Sequence, residues 1–141
     1  MTSLILDFAK GFLPFYLGLR FLNINPQYLL LLSSLSIIGH DFSPFLRFNG
    51  GKGISTTFGL ILAYNYKIAL ILFFIWIFVL LIKRYVSLSS IIGLLFLPIL
   101  IIVFDYSLIN LSFGIFFSIL GISRHSSNIK RIINNTESKI F

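Results

Sequence analysis

The 141-residue sequence contains no cysteine, which excludes both a disulfide scaffold and a thiolate metal site. Charge is scarce: 11% of residues are Asp, Glu, Lys or Arg, against about 25% in an ordinary soluble domain. Acid is scarcer still, with four acidic residues against eleven basic ones and a net charge of +7. The apolar fraction is 57% and the mean hydropathy is +1.01. Too little polar side chain is present to cover a water-facing globule, so a soluble enzyme is nearly ruled out and a polytopic membrane protein expected. In a soluble chain the basic excess would suggest nucleic acid. Here the hydropathy decides first, and the expected partners are an anionic phospholipid bilayer and small anions, with no nucleic acid. The N-terminus lacks a basic stretch before its apolar residues and carries Asp7 and Lys10 soon after, which makes a poor cleavable signal.

Several apolar stretches approach the roughly 20 residues of a helical span. They cover 4–22, 28–39, 54–82, 86–104 and 108–122. The third is interrupted by Tyr64-Asn65-Tyr66-Lys67. Read unbroken it gives five spans; broken at Asn65 it gives six, one of them short. Basic residues in short loops favour the cytoplasm. With six spans and the N-terminus inside, Lys10, Arg47, Lys52, Lys83, Arg84, Arg124, Lys130, Arg131 and Lys139 fall on or near the inner side. Only Arg20 and Lys67 fall outside. The expectation is an all-α membrane helix bundle of about six transmembrane segments. Its 124–139 tail can form a short interfacial helix, because Ile129, Ile132 and Ile133 recur at helical spacing beside Lys130 and Arg131.

Residues 39–53 carry the densest chemistry. Gly50, Gly51 and Gly53 surround Lys52 immediately before an apolar helix. Glycine lets a backbone approach a ligand, and N–H groups at a helix start attract anions. Ser55 and Thr56 add hydroxyls in the first turn. The pattern reads as a phosphate cradle or, equally, as a flexible basic turn. It is not a nucleotide-binding GxxxxGK[ST] loop. His40 suits a proton acceptor or a holder of the loop. Pro44 fixes a turn, and Arg47 suits a bidentate phosphate contact or an inner-side anchor. Asp41, acidic beside an anion site, is expected to face water or pair with a base.

On a continuous helix Arg124, Asn128 and Arg131 would share one face with His125 beside it. Glu137, the sole glutamate, could orient a basic partner there. The plainer reading is a headgroup-binding stop after the last span. Asp7 and Lys10 lie three residues apart in an apolar segment, where charges are paired or functional. His40, His125 and Asp7 fit no zinc spacing, so no metal is expected.

These residues resemble the bacterial acyl-phosphate:glycerol-3-phosphate acyltransferases, small integral membrane enzymes of phospholipid synthesis. The family's second motif is similar to Gly39-His40, Pro44, Phe45, Phe48, Gly50-Gly51-Lys52-Gly53 and Thr56. Its third is similar to Arg124-His125, Asn128-Ile129, Arg131, Thr136-Glu137 and Lys139-Ile140, without the glycine usual near Ile133-Asn134-Asn135. Asp7, Lys10 and Gly11 resemble the start of the family's second membrane helix. The resemblance implies seven helices in the full-length protein, so residues 1–141 read as a single, N-terminally truncated domain lacking the first helix and first motif. It also implies a reaction: an acyl group passes from acyl phosphate to the 1-hydroxyl of glycerol 3-phosphate, giving lysophosphatidate and phosphate without a cofactor.

The implied catalytic residues are His40, Lys52, His125 and Asn128. The implied substrate-binding residues are Gly50, Gly51, Gly53, Thr56, Arg124, Arg131, Glu137, Asp7 and Lys10. The implied setting is the bacterial inner membrane, with the glycine-lysine loop and the tail cytoplasmic and contact with the enzyme that makes acyl phosphate. The alternatives are an inactive remnant serving as a membrane structural or interaction protein, and a small anion or lipid transporter.

Overall fold

The computed structural model describes residues 2–42 and 50–140. The order is α1 (Thr2–Phe21), α2 (Pro26–Asp41), α3 (Ile54–Tyr64), α4 (Tyr66–Lys83), α5 (Val86–Phe104), α6 (Leu108–Arg124) and α7 (Ser126–Ile133), with no strand among the described residues. The chain divides into two compact units, 1–69 and 70–141.

Local chemistry sets the helix ends. Pro26 opens α2, and the Asn25 side chain accepts a hydrogen bond from the Gln27 amide at 2.9 Å. Asn65 separates α3 from α4. It is extended at φ −147°, and its side-chain oxygen accepts from the amides of Lys67 and Ile68 at 3.1 and 3.4 Å. The long apolar run breaks there because one amide side chain satisfies the first donors of a new helix. Arg84, at φ 62°, turns the chain tightly between α4 and α5. Ser107 caps α6 by accepting from the Asn110 amide at 3.1 Å.

In the first unit α1 crosses α3 with the backbones almost touching. A Cβ on Gly11 would collide with the Thr56 carbonyl oxygen, and one on Gly59 with the Phe8 carbonyl oxygen. Small residues permit this approach, and Phe15, Leu30, Ile37, Leu60 and Ile61 fill the core around it. Ser55 Oγ also donates to the Leu4 carbonyl at 3.0 Å. In the second unit α5 packs on α6, where Gly114 and Gly121 receive Ile101 and Leu94. Ser118 Oγ donates to the Leu94 carbonyl at 2.6 Å, and Trp76 Nε1 to Ser90 Oγ at 3.2 Å.

The expectation of six transmembrane segments is corrected. By length and composition, among the described residues only α4 and α5 can cross a membrane, or there are three spans if α6 and α7, bent 58° at their junction, count as one. The reason is physical. α1 carries Asp7 and Lys10 in its apolar stretch, α2 has 16 residues and α3 has 11. At about 1.5 Å per residue, α2 and α3 fall short of a hydrocarbon layer about 30 Å thick. The bend also splits the face expected to hold Arg124, Asn128 and Arg131, since Arg124 ends α6 while the other two lie on α7.

The α1–α3 crossing makes a prediction. Gly11→Ala should lower stability by about 1–3 kcal/mol through overpacking. Gly93→Ala, where nothing lies within 4 Å of the added carbon, should leave it unchanged. Thermal unfolding in detergent checks both, and equal melting temperatures for the two variants would refute the crossing.

Candidate functional site

Two polar constellations emerge, one in each unit. In the first, α1 and α2 bring Asp7 and His40 together. His40 Nδ1 lies 3.3 Å from Asp7 Oδ1, and Lys10 Nζ lies 3.2 Å from the same oxygen. Asp7 and Lys10 thus form the i, i+3 pair that their spacing suggests, while the contact with His40 comes from the tertiary fold. A carboxylate can only accept, so a hydrogen on Nδ1 suits this contact, and Nε2 is the opposite edge of the ring. That edge faces the glycine loop, because a Cβ on Gly51 would collide with His40 Nε2. A Cβ on Gly50 would collide with the His40 carbonyl oxygen. The loop therefore rests on the last turn of α2 and leaves no room for a side chain at either position.

Gly53 begins α3 at φ 67°, a conformation suited to glycine. A Cβ there would lie 2.6 Å from Asp41 Oδ1. Asp41 is 1% exposed. The expectation that it faces water is overturned: its carboxylate sits at the N-terminal end of α3, where the helix field favours negative charge. Lys52 is exposed. Thr56, expected to contact substrate, is instead fully buried, with its carbonyl against Gly11. Its hydroxyl has no hydrogen-bond partner among the described residues. Pro44, Phe45, Arg47 and Phe48 lie outside the described residues. A groove of about 580 Å³ runs beside the Asp7–His40 pair and is lined also by Ser3, Lys10, Pro14, Ser36 and Gly39.

The second constellation centres on Glu137. Its Oε1 accepts from Ser87 Oγ of α5 and from Asn128 Nδ2 of α7, each at 2.7 Å. Its Oε2 accepts from Arg131 Nε at 2.6 Å. The Ser87 and Asn128 hydrogen bonds, followed by the bond and charge of Arg131, hold this carboxyl well below its ordinary range, at about 2, against an opposing effect of burial. Asn128 Oδ1 is buried and accepts no hydrogen bond among the described residues. The strand of chain after α7 is tied to the α4–α5 turn: the Ile140 amide donates to the Arg84 carbonyl at 3.0 Å, and Lys139 lies over the Tyr85 ring. His125, at the bend between α6 and α7, is 2% exposed. Its Nδ1 lies 2.7 Å from the Gly121 carbonyl oxygen, so this ring braces the bend. Arg124 is half-buried at the end of α6.

The sequence reading paired Glu137 with a basic residue but missed Ser87, whose serine-rich helix start carries no local sign of a partner 50 residues away. It also missed Asp41 as a partner of Gly53, a contact made across a loop rather than within a helix. Among the described residues no group of three or more His, Asp or Glu is placed to hold a metal ion.

A sequence model described as "Glycerol-3-phosphate acyltransferase" matches residues 1–135. The glycerol-3-phosphate acyltransferase of Carboxydothermus hydrogenoformans is 41% identical over 134 residues, covering 95% of this chain and 67% of that protein. That of Fusobacterium nucleatum is 37% identical, covering 99% of this chain and 71% of its own length. The match to the Thermosipho melanesiensis protein covers 64% of that relative, so the chain spans about two thirds of the proteins it resembles. Among solved structures, the lysophosphatidic acid form of PlsY (YgiH), an integral membrane glycerol 3-phosphate acyltransferase, superposes with a TM-score of 0.89. The identity is 33%, over 98% of this chain and 70% of that one. The glycerol 3-phosphate form gives the same score.

The hydrogen bonds to Glu137 set a pH window. Its folded value is depressed, so the stabilisation it gives the tail is complete above the ordinary carboxyl value of 4.5 and is lost as pH falls from there through about 2. The carboxyl carbon resonance of Glu137 should titrate near 2 in the wild type. A midpoint near 4.5 would show that the three donors do not hold it.

Proposed function

The chain belongs to the glycerol-3-phosphate acyltransferase family, and we propose that it carries out the family's reaction with the residues of these two constellations. A fatty acyl group passes from acyl phosphate to glycerol 3-phosphate, giving lysophosphatidate. A bond forms between the substrate hydroxyl oxygen and the acyl carbon. The bond from that carbon to the phosphate oxygen breaks, and phosphate leaves. The donor is already activated, so the protein's task is to bring two anions together and stabilise charge as it moves to the leaving phosphate.

The observation that carries this assignment of residues is the seating of the 50–53 loop on His40, with room for glycine alone at its inner positions. That seating holds backbone N–H groups and the exposed Lys52 where a phosphate can approach. Lys52, exposed on this loop, supplies positive charge toward the leaving phosphate. The hydroxyl proton goes to the departing phosphate itself, and His40 acts by seating the loop. In the tail, Asn128 and Arg131 hold a phosphate-bearing substrate. Glu137 keeps both in place, and the inward oxygen of Asn128 accepts from a substrate hydroxyl. Arg124 adds charge, His125 maintains the bend, and Thr56 acts through helix packing rather than by touching substrate. Asp7 and Lys10 flank the loop. Residues 1–141 act as one acyltransferase domain.

The protein is an integral membrane protein of several helices. Its α4–α5 turn and its tail share a side, tied by the bond from Ile140 to Arg84. We place that side in the cytoplasm because Lys83, Arg84, Arg124, Lys130, Arg131 and Lys139 gather there, while Lys67 and Asp105 lie at the opposite helix ends. The loop bearing Lys52 faces the same compartment by the same rule. This face is where an enzyme producing acyl phosphate would dock.

Purified protein in lipid, given acyl phosphate and glycerol 3-phosphate, should form lysophosphatidate and release phosphate in equal amounts; a folded protein that forms neither refutes the proposal. Lys52→Ala should reduce kcat/KM by about 10–100-fold, the loss of one charge-assisted contact to phosphate. Unchanged kinetics would remove Lys52 from the site. A cysteine placed at Lys83 should resist impermeant label in sealed cells and react once the membrane is opened; labelling of sealed cells would reverse the orientation.

A further inference from the structure

We propose that Asp7 is a positioning residue for the glycine loop, acting through the imidazole of His40. The inference rests on the reading that this loop binds phosphate. An ionised residue on an apolar helix is costly and persists where it is paired or in use. α1 carries two such residues in its first half, and they differ. Lys10 is 59% exposed, so water and headgroups solvate it. Asp7 is 21% exposed and turns inward to His40, with an oxygen 3.3 Å from Nδ1. That contact does more than pair a charge. A carboxylate at this distance favours hydrogen on Nδ1 and restrains the ring. The opposite edge of the ring then meets Gly51, where even a methyl group would collide with Nε2. A ring that rotated would press on the loop or withdraw its support.

The device is built on a rigid element. α1 is held against α3 by the near contact of Gly11 with Thr56 and of Gly59 with Phe8. Asp7 lies one turn from Gly11, and α3 begins where the glycine loop ends. The helix that carries the carboxylate is therefore clamped to the helix that the loop leads into. Carboxylate, imidazole and loop form a chain of two contacts between fixed ends, the arrangement that pre-organises a binding loop. Asp7 need not touch substrate. Its loss should weaken phosphate binding while leaving the chemical step nearly intact.

The test compares the wild type with Asp7→Ala, Asp7→Asn, His40→Asn and the double variant Asp7→Ala/His40→Asn in lipid. The first readout is KM and kcat with acyl phosphate and glycerol 3-phosphate. The second needs no turnover: binding of inorganic phosphate, followed by the amide resonances of Gly50, Gly51 and Gly53. The third is the imidazole nitrogen spectrum of His40. Asp7→Ala should raise KM and the phosphate Kd about tenfold while kcat stays within about threefold. The Nδ1–H tautomer should no longer dominate. Asp7→Asn should recover most of the affinity, because its amide oxygen still accepts from Nδ1–H. The double variant should bind no more weakly than His40→Asn, since both changes break one chain of contacts.

An unchanged phosphate Kd in Asp7→Ala and Asp7→Asn, a fall in kcat with KM unchanged, or multiplied losses in the double variant would each overturn the proposal. A wild type that binds phosphate at these glycines but makes no lysophosphatidate would refute the proposed function and leave this inference standing. A wild type whose loop binds no phosphate would overturn this inference.

Discussion

Two helix backbones meet without side chains between them where α1 crosses α3, and the placement of the first polar constellation depends on that meeting. Gly11 and Gly59 leave the Thr56 and Phe8 carbonyls nothing to strike. With the helices this close, α1 cannot slide or roll without a collision, so Asp7 is delivered at a fixed height beside the last turn of α2. The same crossing fixes the start of α3 and, with it, the end of the glycine loop. Thr56 is informative here. As a motif residue it suggests a hydroxyl for substrate, yet it is fully buried at the crossing. Its backbone carbonyl is the group that Gly11 makes room for.

Composition made an all-α membrane protein legible, and the helix ends were marked by residues with plain capping chemistry: Pro26, Asn65 and Ser107. The break at Asn65 could be read from one amide in an apolar run. The number of spans could not. Counting apolar stretches treats each as independent, but α2 and α3 are too short to cross alone, and α1 has charges that only tertiary contacts make tolerable. The pairs Asp7–Lys10 and Arg131–Glu137 were within reach because they are close in sequence. Asp7–His40, Asp41–Gly53 and Ser87–Glu137 were not, since each joins elements whose mutual placement no local pattern encodes. The bend at His125 was hidden for a related reason. A histidine looks like a chemical residue, and nothing in its neighbours says that its ring will bond the Gly121 carbonyl and divide one helix into two.

The few carboxylates show how a basic chain places its acid. Three of the four acidic residues lie within or beside the constellations, and each is held by the chain itself. Asp7 is shared by His40 and Lys10. Asp41 sits at the start of α3, where the helix field favours its charge. Glu137 receives three donors and stays ionised far into acid. Each of these carboxylates lies against a group of its own unit: an imidazole, a glycine loop, an amide and a guanidinium. Because their charges are matched locally, they add little repulsion at a distance. The basic excess that first suggests a bilayer or an anion thus has a second origin. It reflects acid placed sparingly, at positions where a fixed negative charge holds a polar group still.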